Sequence, residues 1–490
     1  MQPLSDCYRE NVRRMDEILR VNENFDLIKK VMCLGTEEIT LYYIDGFVDS
    51  ASMNKMMIYF LSLKGLGLPT ESGGEAAATF FATHHLPHVE AEVTKNTDLM
   101  IQMVLSGTTL LLGETFGEYA IVIDSRTYPA RSVGEPQNDR VMLGSRDGFV
   151  ETLVFNTALI RRRIRDTALT MQYLTVGRRS KTDVVLCYLK GQADADYVKK
   201  LQKKLENIDT GALTMGHESL AELLIGQRWY NPFPKIRYTE RPDVAAAQLL
   251  EGSVLIVCDN SPEVMILPST IFDFMQETND YYFPPLTGTY IRIVRHIVFW
   301  ATLFLVPIWF LLTKNPEVTP AWLRFILPES TGKIPIFVQL ILVEFMIDGL
   351  RMASMNTPDM LSNSLSVVGG LILGDFAVDI GWLIPEVIVY MAFVSIANFS
   401  QRSYQLGYAF KFLRIALIIL IQLFNFIGFG VGCVGILVLL ATNKTVNGRR
   451  SYLYPLIPFH GKALLSLFIR LRKDRIAGAE GVRKEEGREQ

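Results

Sequence analysis

Residues 293–312 read IVRHIVFWATLFLVPIWFLL. At about 1.5 Å of rise per residue, a helix of that length spans a hydrocarbon core of about 30 Å. Arg292 and Arg295 sit at its leading end, as the excess of basic residues on the cytoplasmic side of membrane spans expects. Before it, charged and apolar stretches alternate in the manner of a soluble protein. Nearly all other long apolar runs lie between it and Thr442. A boundary is therefore expected near Gly288, although the mean hydropathy of the whole chain is only +0.21.

Beyond this first span the apolar runs are uneven. Residues 334–347 (IPIFVQLILVEFMI) are short and lead into charge, and residues 365–373 (LSVVGGLIL) are too short to cross alone. Residues 380–396 and 414–442 are plausible spans, the last with length to spare for tilt. Four or five crossings are expected. The tail carries Arg449, Arg450, Lys462, Arg470, Arg472, Lys473 and Arg475, which favours the cytoplasmic side.

Upstream, residues 1–35 read as helix and EEITLYYIDGFVD (37–49) as a β-rich run. A helix over 54–63, a glycine-rich break, a helix over 97–105 and a hairpin through GETFG complete a first α/β subdomain, residues 1–125. The polar, turn-rich stretch 125–148 reads as a connector. A second subdomain, within residues 126–288, opens with an arginine-ended helix and continues as alternating strands and helices, an α/β pattern. The expected architecture is thus two small α/β subdomains, an α-helical multi-span transmembrane domain over 289–445, and a basic tail over 446–490.

Composition narrows the function. With 49 Lys and Arg against 51 Asp and Glu, the chain lacks the basic field that a nucleic-acid binder needs. The opening MQPLSDCYRENVRRMDEILR has no apolar core with a cleavage site, so the N-terminal region is expected in the cytoplasm. The five cysteines are scattered and read as packing residues. His84, His85 and His88, beside Glu90 and Glu92, read as a polar loop because Pro87 interrupts them and no HExxH pattern is present. No nucleophile, base and acid combination is readable. No enzyme, cofactor or metal is expected.

The informative chemistry lies in charges at membrane depth, which ordinarily face a partner or a hydrated path. Glu344, Asp348 and Arg351 share one helical stripe and are candidates for an intramembrane ion-pair network, or for the lining of such a path. Ser362, Ser366, Gly370 and Gly374 recur every four residues. Such a stripe permits close helix packing or, around an oligomer axis, lines a narrow pore with Asp375 and Asp379 at its mouth. Gly428 and Gly432 form a further small-residue pair suited to packing.

Several blocks resemble the GerA spore germination family: residues 135–166 (EPQNDRVMLGSRDGFVETLVFNTALIRRRIRD), 230–252 (YNPFPKIRYTERPDVAAAQLLEG) and 261–268 (SPEVMILP). EFMIDGLRMASMNTPDML (344–361) and GDFAVDIGWLIPEVIVYMA (374–392) are similar to the stage V sporulation branch. Nutrient-receptor A subunits usually carry a motif of the FE-LREAG kind and GQAAV at these places. The resemblance implies residence in the inner membrane of a bacterial endospore, in contact with membrane lipid. It also implies a ring-like homo-oligomer, a pentamer, that passes monovalent cations during germination. It further implies a small membrane-protein partner and cooperation with nutrient germinant receptors. A receptor A subunit, a secondary transporter and a non-conducting scaffold are the competing readings. The transporter reading is weakened by the absence of paired halves in the hydropathy pattern.

Overall fold

The computed structural model describes residues 3–35, 37–63, 74–87, 90–126, 145–225, 230–277, 280, 282–329, 332–356, 376–399, 401, 403–446 and 452–469. The chain separates into two compact units, Met1–Gly226 with Ile236–Pro268, and Gln227–Lys235 with Ser269–Gln490. The division falls at Pro268, before the expected Gly288.

The first unit runs through one order of elements twice. Its first half contains α1 (Tyr8–Leu19), β1 (Leu27–Leu34), β2 (Glu37–Ile44), α2 (Ser50–Ser62), α3 (Gly74–His84), β3 (Ala91–Thr94), α4 (Thr97–Leu105), β4 (Thr109–Gly113) and β5 (Ala120–Ile123). The second contains α5 (Leu153–Arg163), β6 (Leu169–Val176), β7 (Thr182–Leu189), α6 (Ala195–Glu206), α7 (Gly216–Ile225), β8 (Arg237–Thr239), α8 (Pro242–Leu250), β9 (Val254–Cys258) and β10 (Val264–Leu267). The sheet orders, β1-β2-β4-β5-β3 and β6-β7-β9-β10-β8, are the same arrangement, and the neighbouring strands pair antiparallel. Local chemistry repeats as well. Asp49 caps α2 by accepting from the Ala51 and Ser52 amides, and Asp194 caps α6 by accepting from those of Asp196 and Tyr197.

Each half has its own apolar clusters, and a buried clasp ties them together. The Arg161 guanidinium on α5 donates to both Asp26 oxygens at 2.8 and 3.0 Å, beside Asn24, whose side chain also accepts from the Met171 amide. Gly46, at φ 81°, lets the first half approach α5, where an added Cβ would stand 3.1 Å from Ala158 and Val154.

Two expectations are corrected here. Residues 1–35 are not one helix: α1 ends at Leu19, and β1 pairs along its whole length with β2 from Leu27↔Ile44 to Leu34↔Glu37. The pairing decides the matter, because Lys29 and Lys30 blur the alternation that would otherwise mark a strand. Cys187 and Cys258 are buried as expected, but Cys7 and Cys33 are exposed, one capping α1 and the other on β1 at the sheet edge.

The second unit is helical: α9 (Pro285–Lys314), α10 (Ile336–Asn356), α11 (Pro385–Phe399), α12 (Tyr404–Thr442) and α13 (Gly461–Phe468). Two of these, α9 and α12, are long and apolar enough to cross a membrane. The expectation of one long tilted span at 414–442 fails, because α12 reverses direction at Asn425, which adopts φ 54° and ψ −128°. Asparagine tolerates positive φ better than most residues. The two arms, 404–424 and 426–442, then pack against each other at glycines. A Cβ on Gly428 would lie 2.0 Å from the Leu420 carbonyl oxygen, and one on Gly432 would lie 2.4 Å from a Leu417 methyl.

The end of α9 holds the tip of this hairpin. Asn315 and Asn425 exchange amide hydrogen bonds of 2.7 and 2.8 Å. The Lys314 ammonium donates to the carbonyls of Ile421 and Gln422, which end the first arm without helical partners. Phe299 packs on Phe410 with ring centroids 4.3 Å apart, so α9 and the first arm run parallel.

Candidate functional site

Charge is concentrated inside the helical unit. Glu344, one turn into the polar half of α10, is buried, and its carboxylate accepts from Arg414 Nε at 2.7 Å and Nη2 at 2.6 Å. Arg414 also donates to the Thr302 carbonyl of α9 at 2.7 Å, so one side chain joins three helices. Lys411, one turn earlier on α12, lies 3.4 Å from the other Glu344 oxygen and pairs with Asp348. Lys411 and Arg414 are two bases facing two acids, and the cluster is neutral as a whole. That balance is what makes burial of Glu344, Lys411 and Arg414 tolerable, with Asp348 half-buried at the edge of the cluster.

A narrow cleft opens onto the cluster, lined by Glu344, Asp348, Arg351, Ser395, Asn398 and Lys411 among others. Arg351 lies over the rings of Tyr404 and Tyr408, 5.1 and 5.0 Å from their centroids, a cation–π arrangement. The side-chain oxygen of Asn398 is buried there without a hydrogen-bond partner, and that of Gln401 is likewise unpartnered outside the cleft. Gln401 donates through its amide nitrogen to Thr302 Oγ1 at 3.2 Å.

The structure brings Glu344 and Asp348 of the expected network together with bases from α12 that the sequence reading passed over. Lys411 lies just before the expected span at 414–442, and Arg414 is the first residue of that span. The signal available was two basic residues three apart at the start of a long apolar run, an unusual cost unless acids lie opposite. Asp379 is exposed and ends a single helical turn, Ala377–Asp379. Ser362, Ser366, Gly370, Gly374 and Asp375 lie outside the described residues. In the first unit, His84 stacks on Phe80 at 4.5 Å and His85 packs edge-on to it, while His88 lies outside the described residues.

Helix directions within the second unit follow from the same contacts. Phe337 at the start of α10 faces Phe310 near the end of α9, so these two run antiparallel. The Ile384 amide, before α11, donates to Gln339 near the start of α10 at 2.9 Å, so α10 and α11 run parallel. After the hairpin the chain returns to the end where α9 begins: the Ile271 amide donates to the Tyr452 carbonyl, and Phe468 packs on His296 with centroids 4.8 Å apart. At that end Asp280 pairs with both Arg292 and Arg295, the latter at 2.7 Å through each of two nitrogens.

An α/β unit of two antiparallel sheets, followed by a helical unit with a buried cluster of paired charges, is the class of protein these features define. The sequence model of the Bacillus/Clostridium GerA spore germination protein family matches residues 14–477, and the chain belongs to that family. It is 38% identical to stage V sporulation protein AF of Bacillus subtilis (strain 168), over 92% of this chain and 90% of that one. Spore germination protein KA of the same organism is 27% identical, over 92% of this chain and 82% of the other. The crystal structure of the N-terminal domain of the A subunit of the Bacillus megaterium spore germinant receptor GerK3 aligns with 25% identity. That alignment covers 54% of this chain and 96% of the other, with a TM-score of 0.41.

Proposed function

We propose that this protein is a multi-span membrane subunit of the spore germination apparatus, and that as a ring-like homo-oligomer it passes monovalent cations when germination begins. The observation that carries the membrane part is the inverted distribution of side chains in the helical unit. Glu344, Arg414 and Lys411 are buried, whereas Leu423, Ile427, Val431, Val434 and Leu437 are more than half exposed. Water penalises that arrangement on both counts, and lipid favours it. Because the first arm of α12 runs parallel to α9 and the second arm runs back along it, the chain leaving α12 lies on the side on which α9 starts. This agrees with the basic character of the tail, which is expected to face the cytoplasm together with the first unit.

Conduction is what the resemblance to the family implies, and the charged side chains lining the cleft suit a hydrated path. The small-residue stripe Ser362, Ser366, Gly370 and Gly374, with Asp375 and Asp379, is proposed to line the path, the acids favouring cations. The spore inner membrane, a small membrane-protein partner and nutrient germinant receptors are proposed as its setting.

The test is potassium flux through liposomes containing the purified chain, with size exclusion on the same preparation. The wild type should conduct. Gly370→Leu should form the same oligomer and conduct poorly, and Asp379→Asn should pass cations less selectively. An intact oligomer that passes no ions overturns the channel reading and leaves a non-conducting subunit of the receptor A type.

A further inference from the structure

The connection that follows α9, residues 316–327, is held in shape while its largest side chains face outward. The amides of Val318, Thr319, Leu323 and Leu327 donate back to the carbonyls of Asn315, Pro316, Pro320 and Arg324 at 2.9–3.2 Å. The Ile326 carbonyl accepts from Trp309 Nε1 at 2.8 Å, and Thr319 is buried. On this fixed segment Val318, Trp322 and Phe325 are 61%, 73% and 81% exposed. Large apolar groups held out in this way forgo the gain of burial unless something covers them, and such a patch marks an interaction surface.

Two observations identify the cover. The first is level. The segment leaves α9 where Asn315 bonds to Asn425 and Lys314 closes the hairpin tip of α12, and that tip exposes Leu423, Phe424, Phe426 and Ile427. The outward residues of the connection therefore lie at the level where the apolar surface of the hairpin ends. The second is the kind of side chain found at each level. Among the described residues the exposed tryptophans are Trp322 and Trp382, and Trp382 stands just before α11, whose start lies with that of α10 at this same end. At the other end, where α9 and α12 start, Tyr282, Tyr290 and Tyr404 are exposed. Between the two levels the large apolar groups exposed are aliphatic or phenylalanine, as at Ile297, Phe393, Val431 and Val434. Rings with a polar tip gather where hydrocarbon meets headgroups, on both faces of a bilayer, whereas a protein partner imposes no such sorting by level. Glu317 and Arg324, exposed on the same segment, suit the headgroup layer.

We propose that residues 316–327 lie in the membrane interface, with Trp322 and Phe325 seated between phospholipid headgroups and acyl chains, as an anchor that sets the depth of the α9 end and of the hairpin tip beside it. This rests on the membrane reading above.

The experiment uses the full chain carrying Cys7→Ser, Cys33→Ser and Cys433→Ala, labelled with the fluorophore NBD at Phe325→Cys or, separately, at Val434→Cys in the second arm of α12. It is placed in nanodiscs of phosphatidylcholine containing lipid with a doxyl quencher either near the headgroup or in the middle of the acyl chain. The Phe325→Cys label should be quenched more by the shallow doxyl group, and the Val434→Cys label more by the deep one. Adding Trp322→Ser should weaken the shallow quenching at Phe325→Cys and leave the Val434→Cys label and the melting temperature in detergent unchanged. Quenching at Val434→Cys but not at Phe325→Cys overturns the anchor alone. Quenching at neither overturns the membrane reading itself. Deeper quenching at Phe325→Cys puts the segment within the hydrocarbon and overturns its interfacial seat. A Phe325→Cys label shielded from aqueous iodide without lipid quenching, and cross-linked to another copy of the chain, assigns the patch to a second subunit and overturns the lipid assignment. Unchanged quenching after Trp322→Ser overturns the part given to that tryptophan.

Discussion

At the level of single residues, the helical unit turns on a few buried charges whose neutrality is collective. Removing Arg414 as Arg414→Met would leave Glu344 buried beside a single, more distant cation, and breaking a buried pair in this way typically costs about 3–5 kcal/mol. The variant should lose much of its yield and melt well below the wild type in detergent. The double variant with Glu344→Gln should recover part of the loss. If both variants melt alike, the two groups do not stabilise each other. In the first unit, burial pushes the Asp147 carboxyl up, but hydrogen bonds from Arg163 and Ser145 outweigh it and hold the group below the usual carboxylate range. The folded state then binds this proton less tightly than the unfolded state. Its stabilisation is complete above the ordinary value of about 4 and is lost as pH falls through the depressed one. Urea unfolding of residues 1–268 should therefore weaken less steeply below about pH 4 in Asp147→Asn, and an unchanged acid limb would dismiss the ion pair with Arg163 as a contributor. Sequence alone exposed Glu344 and Asp348 as anomalous but assigned them the local neighbour Arg351. Spacing reports only what a helix brings together, and Lys411 and Arg414 arrive by tertiary packing from another helix.

Among elements, the reversal at Asn425 governs the most. It was hidden because QLFNFIGFG carries no proline or paired turn residues, only Gln422 and Asn425 among apolar and aromatic residues. The glycines that make the reversal possible were legible as a packing pair, though not that they pack arm on arm. Their substitutions should rank by what a new Cβ meets. Gly428→Ala places a methyl group against backbone, which cannot yield, so the arms must separate. Gly432→Ala meets the far end of Leu417, which can rotate, and Gly435→Ala meets nothing within 4 Å. Melting temperatures in detergent should fall in that order, with Gly435→Ala near wild type. Equal losses at Gly428 and Gly435 would mean the arms are not in contact. The elements read most readily were those with local signatures, such as α4 between its Asn96 cap and Ser106, whereas β1 needed its partner strand to declare itself.

For the molecule as a whole, the division at Pro268 predicts that residues 1–268 are recovered without detergent, since both sheets and their clusters are complete within them. Recovery only as aggregate would place the division elsewhere. The helix directions make a second claim about the intact chain. Cysteine at Phe424, beside the hairpin tip, should react with an impermeant maleimide from the side opposite that on which cysteine at Ile457 reacts, in sealed vesicles of known orientation. Labelling of both from one side would contradict the hairpin. The broad partition into an α/β part and a helical part was visible from hydropathy. The repetition of element order was not, because it resides in strand connectivity and leaves no period in the residues themselves.

That repetition gives the two halves matching places with different tolerances. A chain that passes twice through helix, hairpin, paired helices, edge strand, helix and hairpin offers each position of one half a counterpart in the other. Asp49 and Asp194 hold the same place, each the cap of the first helix after a hairpin, and should tolerate the same replacements. Arg161 and Asp26 serve the join between the halves instead. Substitutions at the two caps should therefore act independently, whereas those at the two sides of the clasp should be coupled.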